Sequence, residues 1–207
     1  MKIVSMQVGP LGTNCYLLCD TDAARCAVID PGGDARRILR AAEENGCAID
    51  AIYLTHGHYD HVGGLPGLRG ALPDAPVYLN ERDVYDPADR YMAQVFPHVD
   101  GTRSYDEGDV LTLGALSVRV LATPGHTRGG VSLLAGDALF CGDTLFAGSM
   151  GRTDLPGGDE QAIFRSLARL AALKEDTRVY PGHMGPSTIA RERACNPYVL
   201  MALGELR

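Results

Sequence analysis

The sequence predicts an α+β fold in which stacked β-sheets are covered on their outer faces by helices. Three observations carry that expectation: many short segments rich in β-forming residues, a few interspersed helical patterns, and no compositional break along residues 1–207 that would divide the chain into domains. With 207 residues, 45% of them apolar and 22% charged, the chain is long enough to bury a sizeable core as one domain.

Ile3–Val8, Asn14–Cys19 and Cys26–Ile29 read as the opening strands. Asp30-Pro31-Gly32-Gly33 is a turn, after which Asp34 is expected to cap a helix reaching Asn45. Ile38, Leu39 and Ala42 fall on one face of that helix and Gly46 ends it. Ala51–Leu54 is a short apolar run, read as a buried strand. Further strands are expected at Val77–Leu79, Val110–Leu113, Ser117–Leu121, Val131–Leu134 and Leu139–Cys141. The stretch from Asp83 to Asp106 is polar and contains proline, so it reads as an irregular excursion. A second helix runs from Glu160 to Leu173 behind the cap Asp159, with Ile163, Leu167 and Leu170 at helical spacing. Thr177–Tyr180 reads as the last strand, and a short helix over Thr188–Cys195 closes the core.

Charge and composition narrow the partners. A net charge of −7 with scattered basic residues does not make the concentrated positive stripe that a nucleic acid needs. The Arg36-Arg37 and Arg191/Arg193 clusters sit in helical patterns and read as solvated faces. No run of about 18 apolar residues is present, so no membrane partner is expected. Met1–Val8 alternates like a strand and lacks the apolar stretch of a signal peptide, which points to the cytoplasm. The cysteines, at 15, 19, 26, 47, 141 and 195, show no paired spacing and read mainly as small core residues.

The chemistry lies in Thr55-His56-Gly57-His58-Tyr59-Asp60-His61-Val62-Gly63-Gly64. Four candidate metal ligands fall within six residues, directly after an apolar strand. Alternate residues of an extended chain point the same way, so His56 and His58 can converge. Asp60 and His61 break that period where a turn passes into a helix, and can face a different ion. Three further strands end in the same way: His126 follows Thr123-Pro124-Gly125, Asp143 follows Gly142, and His183 follows Pro181-Gly182. Singly, each is an ordinary structural residue. The repetition of strand, glycine and ligand points to one metal centre.

On these residues the chain resembles the metallo-β-lactamase superfamily, through Asp30-Pro31-Gly32, the His56–His61 motif, Pro124-Gly125-His126-Thr127, Gly142-Asp143-Thr144 and Pro181-Gly182-His183. It looks most like the short bacterial form of the glyoxalase II (hydroxyacylglutathione hydrolase) group, through Gly151-Arg152-Thr153-Asp154-Leu155-Pro156-Gly157-Gly158-Asp159 and Glu192-Arg193 with Asn196-Pro197. The resemblance implies a four-layer αββα sandwich of two mixed sheets flanked by helices. It also implies two divalent metal ions, with His56, His58 and His126 on the first, Asp60, His61 and His183 on the second, and Asp143 bridging both. Such donors suit zinc first, and also iron or manganese.

The implied activity is hydrolysis of a thioester, S-D-lactoylglutathione or a related acyl-thiol. Two ions about 3.5–4 Å apart can share a water and bring its pKa towards about 7, giving the attacking hydroxide. A thiol, with a pKa of about 8.5, leaves without prior protonation. Asp60 is in addition a candidate proton acceptor. Asp30 either orients a ligand through its carboxylate or stabilises the turn before Pro31. Arg152 either contacts a glutathione carboxylate, as a lysine does in the longer relatives, or pairs with Asp154. Cys141 reads as a core thiol, and His98 as a loop histidine or part of the substrate entrance. The longer enzymes carry a tyrosine after the last histidine and a C-terminal helical extension. Met184-Gly185 stand here instead, so the thiol carrier is left open. The rival reading is a mononuclear-iron persulfide dioxygenase, whose members keep the same ligand positions; a lactonase is a further one.

Overall fold

The computed structural model describes residues 1–206. Its first sheet is built from β1 (Lys2–Val8), β2 (Thr13–Asp20), β3 (Arg25–Ile29), β4 (Ala48–Tyr53), β5 (Val77–Tyr78) and β6 (Thr102–Arg103), paired in that order. Helix α1 (Ala35–Glu44) joins β3 to β4, and α2 (Tyr59–Val62) and α3 (Leu65–Ala71) follow β4. The second sheet contains β7 (Val110–Leu113), β8 (Leu116–Ala122), β9 (Val131–Ala135) and β10 (Ala138–Gly142). A small hairpin of β11 (Leu145–Phe146) and β12 (Ser149–Met150) leads to helix α4 (Glu160–Ala171). Then β13 (Arg178–Pro181) and β14 (Ser187–Thr188) complete the second sheet, in the order β14-β13-β10-β9-β8-β7. Helices α5 (Ile189–Cys195) and α6 (Pro197–Ala202) pack after it.

Alternating side chains explain the layering. On β2, Leu17 and Cys19 enter a cluster with Ile38, Leu65 and Leu68 of the first helical layer. Tyr16 and Leu18 point the other way, into a cluster with Val118, Val120, Leu133 and Phe140 of the second sheet. On β10, Ala138 and Phe140 join that central cluster, whereas Leu139 and Cys141 pack with Leu167, Leu170, Ile189 and Val199 of the second helical layer. Each central strand is therefore buried on both faces, which is why its sequence is almost continuously apolar. The result is the expected α+β sandwich: two mixed sheets, flanked by helices.

The topology also sets where functional residues gather. β3 and β4 run parallel, as do β10 and β13, and β8 points with β10 because both are antiparallel to β9. The carboxyl ends of β8, β10 and β13 consequently lie at one end of the second sheet.

Three expectations need correction. Asp34 stands at the N-cap of α1 but in a left-handed conformation (φ 51°), and its side chain makes no capping bond. Its Oδ2 accepts from Gly9 N at 3.0 Å instead, because Gly33 packs directly on the Gly9 backbone. Asp83–Asp106 is not wholly irregular: Thr102–Arg103 pairs in parallel with Val77–Tyr78. Thr177–Tyr180 is not the last strand, since Ser187–Thr188 pairs with Arg178–Val179. Pairings of two residues leave no period to read. Asp159 does cap α4, accepting from Ala162 N at 2.8 Å.

Candidate metal centre

β4 ends at Tyr53, and the chain runs through Leu54 and Thr55 to His56 and His58 before turning into α2, which carries Asp60 and His61. The ends of β8, β10 and β13 deliver His126, Asp143 and His183. One donor atom from each residue places these side chains in three overlapping groups, each within 4.8 Å: His56/His58/His126, His56/His61/Asp143 and Asp60/His61/His183. Asp143 lies between the outer two. Its Oδ1 is 3.4 Å from His61 Nε2, and its Oδ2 is 3.5 Å from both His126 Nε2 and His183 Nε2. Asp60 Oδ2 is 3.1 Å from His183 Nε2 and 3.5 Å from His61 Nε2. All seven proposed ligand side chains thus meet in one place.

Their outward atoms are tied down. His126 Nδ1 donates to Arg152 O at 2.7 Å, which leaves Nε2 as the inward lone pair. His56 Nδ1 lies 3.1 Å from Thr55 Oγ1, whose hydroxyl in turn donates to Asp30 Oδ2 at 2.7 Å. Asp30 Oδ1 also accepts from Thr55 N at 2.7 Å, and Asp30 Oδ2 is 3.0 Å from His61 Nδ1. That last approach is close in distance but off the hydrogen-bond direction, so it acts as an ionic contact. Asp30 thus contacts the loop that leads to His56 as well as His61.

His58 turns Nδ1 to His126 Nε2 at 2.9 Å. Three other atoms of the cluster, His56 Nε2, His61 Nε2 and Asp143 Oδ1, are buried and make no hydrogen bond. A buried polar atom without a partner costs about 1–3 kcal/mol, so three in one place call for a ligand. Protonation states agree. Burial holds His56 well below the usual histidine range, lowers His58 to about 3 and also lowers His126, so these imidazoles keep their lone pairs. Burial would raise Asp60 and Asp143, but for Asp60 the hydrogen bond from His183, and for Asp143 the charge of His61, override it and keep both ionised. Burial would lower His61, but the charges of Asp143 and Asp30 override it and raise it, and His183, bonded to Asp60, is raised too. A cation bound here takes the place of the protons on those two rings, leaving neutral imidazoles beside ionised carboxylates. The cluster can hold metal.

A cleft of about 450 Å³ opens over these residues, walled by Leu11, Tyr59, Val95, Phe146, Met150 and Leu155. A roomier hollow of about 590 Å³ beside Asp34–Arg40 has no metal-ligating cluster and lies apart from this chemistry. Arg152 lines the first cleft, with its guanidinium bonded to both oxygens of Asp154 at 2.6 and 2.7 Å on an exposed surface. His98 is absent from that wall. It pairs with Asp100 at 2.6 Å. The Cys141 thiol is buried and donates to Leu145 O at 3.1 Å; burial pushes it up to about 12, away from reactivity. None of the six cysteines forms a disulfide.

Sequence reasoning passed over several supports. Thr13 Oγ1 donates to Asp60 Oδ2 at 2.9 Å. Asn14 Nδ2 donates to Pro181 O and Met184 O, bracketing His183. A threonine and an asparagine in an apolar strand give no periodic signal; burial is what marks them. Glu192 and Asn196 were read through resemblance only, and the structure gives them a physical task. Glu192 Oε2 accepts from Gly148 N, and Asn196 Nδ2 donates to Phe146 O and Ser149 O, fixing the β11–β12 hairpin that walls the cleft. Asn196→Ala is expected to lower stability by about 2–3 kcal/mol by stranding those carbonyls; an unchanged thermal midpoint would show that the hairpin is held elsewhere.

Comparison with known proteins follows the same lines. A family profile described as the Metallo-beta-lactamase superfamily matches residues 8–183. The hydroxyacylglutathione hydrolase GloC of Haemophilus influenzae is 33% identical over 218 residues, covering 96% of this chain and 98% of that protein. Among solved structures, the B3 metallo-β-lactamase BLEG-1 is similar with a TM-score of 0.85 and 34% identity, covering 96% of this chain and 99% of its own. TTHA1623, solved in a di-iron-bound form, gives a TM-score of 0.82 and 38% identity over 94% of this chain and 99% of its own.

Proposed function

The chain belongs to the metallo-β-lactamase superfamily, and from that premise we propose that it is a metal-dependent thioester hydrolase acting on S-D-lactoylglutathione or a related acyl-thiol. The observation that carries the reading is the set of buried, unpartnered atoms on His56, His61 and Asp143, with Nδ1 of His56 and His61 turned away to Thr55 and Asp30. We assign His56, His58 and His126 to one divalent ion, Asp60, His61 and His183 to a second, and Asp143 to both. Zinc suits these donors, and iron or manganese can use them too.

Ions bound there polarise the thioester carbonyl and lower the pKa of water enough for attack at neutral pH. The protein's own residues supply the rest. Thr55 and the Arg152 carbonyl fix the tautomers and directions of His56 and His126, and the Asp30 carboxylate faces His61. Asp60 is held below the usual carboxylate range despite its burial, chiefly by the hydrogen bond from His183, so it is ionised and able to serve as a ligand. A thiolate departs unprotonated, which suits a cleft whose acidic and basic side chains are mostly gathered at the centre. The amide of a β-lactam needs a proton on its nitrogen and is expected to turn over more slowly. Free thiols throughout the chain suit a reducing compartment, and we place the protein in the cytoplasm.

Arg152 is assigned to the substrate's carboxylate. Exposed ion pairs are weak in water, so a substrate carboxylate can displace Asp154 from the fork. Arg152→Ala should raise KM for S-D-lactoylglutathione and leave kcat in place; an unaltered KM would remove Arg152 from the binding site. The reaction class is tested by following thiol release from S-D-lactoylglutathione beside oxygen uptake with glutathione persulfide. Thiol release without oxygen uptake is expected. The reverse would make the protein a persulfide dioxygenase.

A further inference from the structure

Asp83 is a buried carboxylate outside the seven-residue centre, only 3% exposed. It ends the short 3-10 turn Glu81–Asp83, at the start of the stretch that the sequence presents as irregular. Burial pushes its pKa up to about 6, against three hydrogen bonds that pull it down. Those bonds have a pattern. Oδ1 accepts from Gly129 N at 2.7 Å, while Oδ2 accepts from Thr127 Oγ1 at 2.7 Å and from Gly57 N at 3.1 Å. Gly57 separates His56 from His58, and Thr127 follows His126. One carboxyl group thus joins the two loops that present these three histidines.

The clasp is itself anchored. Asp83 N donates to Asn80 O at 3.0 Å, Asn80 Nδ2 to Tyr105 O at 2.9 Å, and Tyr105 Oη to Leu54 O at 2.6 Å, two residues before His56. The loops also come very close to it. A Cβ on Gly57 would lie 2.8 Å from Asp83 O, and one on Gly129 would lie 2.8 Å from the Asp83 carboxyl carbon. Side chains at either position would force the loops apart.

We infer that Asp83 is a positioning residue that fixes the His56–His58 loop against the His126 loop and so sets the geometry of the first ion site. The inference rests on the two-ion reading above. Ligand sites keep their affinity only when their supports hold them within about 0.5 Å, and two buried backbone N–H groups would lose their acceptor if this carboxylate were removed. Asp60, His61 and His183 share none of its three donors, so the second site is not expected to respond.

The test is a zinc competition titration of the metal-freed full chain against a chromophoric chelator. His126→Ala and His183→Ala assign the two binding steps to the two sites. Asp83→Asn should weaken the first step by about 10- to 100-fold, as loss of an outer support does, and leave the second in place. Thr127→Val, which keeps the carboxylate and removes one donor, should weaken the same step several-fold. A matching change confined to the first site in the visible spectrum of the cobalt-loaded variants should accompany it. Equal weakening of both steps in parallel with the thermal midpoint would overturn the inference, because that is general loosening. An unchanged first step would overturn it too. If Asp83→Asn fails to fold, Thr127→Val decides by the same criteria. A wild-type chain that takes up two zinc ions yet cleaves no thioester ends the thioester reading alone, and the isotherms still decide on Asp83.

Discussion

Replacing Asp143 by alanine should reduce thioester hydrolysis by at least about 100- to 1000-fold, the scale on which a single stabilising group in a reaction centre acts. The reason is geometric. One oxygen faces His61 and the other faces both His126 and His183, so this carboxylate touches side chains assigned to each of the two ions. Metal content should fall together with activity. Asp143→Asn separates charge from shape: it keeps the volume but not the charge, and is expected to lose metal nearly as fully as alanine. Retained activity with unchanged metal content in either variant would contradict a bridging role.

The second large effect is expected at Asp30. This carboxylate is 1% exposed and collects Thr55 N, Thr55 Oγ1 and His61 Nδ1. Its backbone has φ 51°, a conformation that asparagine tolerates well, so Asp30→Asn isolates the side chain from the turn. An amide there presents N–H groups where acceptors are needed. Breaking a buried charged contact of this kind costs about 3–5 kcal/mol, and metal affinity should fall about 10- to 100-fold through a misdirected His61. Thermal unfolding of the metal-free chain reads the first quantity and zinc competition the second. A destabilised variant with unchanged affinity would confine Asp30 to the turn.

Much of the His/Asp cluster is legible in the sequence because its candidate ligands follow strand ends, and strand ends are marked by glycine and proline. His126 behind Pro124-Gly125 and His183 behind Pro181-Gly182 are readable for that reason. The layers were legible through apolar continuity, as in β2 and β10, and α4 through its spacing and its Asp159 cap. What escaped reading has an equally physical cause. Asp34 looks like a cap by residue type, but the close packing of Gly33 on Gly9 turns its carboxylate elsewhere. The two-residue strands β6 and β14 exist through tertiary pairing, with too few residues to show a period. Thr13, Asn14 and Asp83 act through long-range hydrogen bonds to residues far away in the chain, and one sequence carries no signal for such contacts.

The central claim is that hydrolysis depends on cations gathered by these seven side chains. It is tested most directly by stripping the protein with a chelator and titrating zinc back while thiol release from S-D-lactoylglutathione is followed. No turnover is expected in the stripped chain, with activity rising to a plateau at two ions per chain. Full activity in the stripped chain would contradict the claim, as would a chain that binds two ions and releases no thiol from any thioester offered.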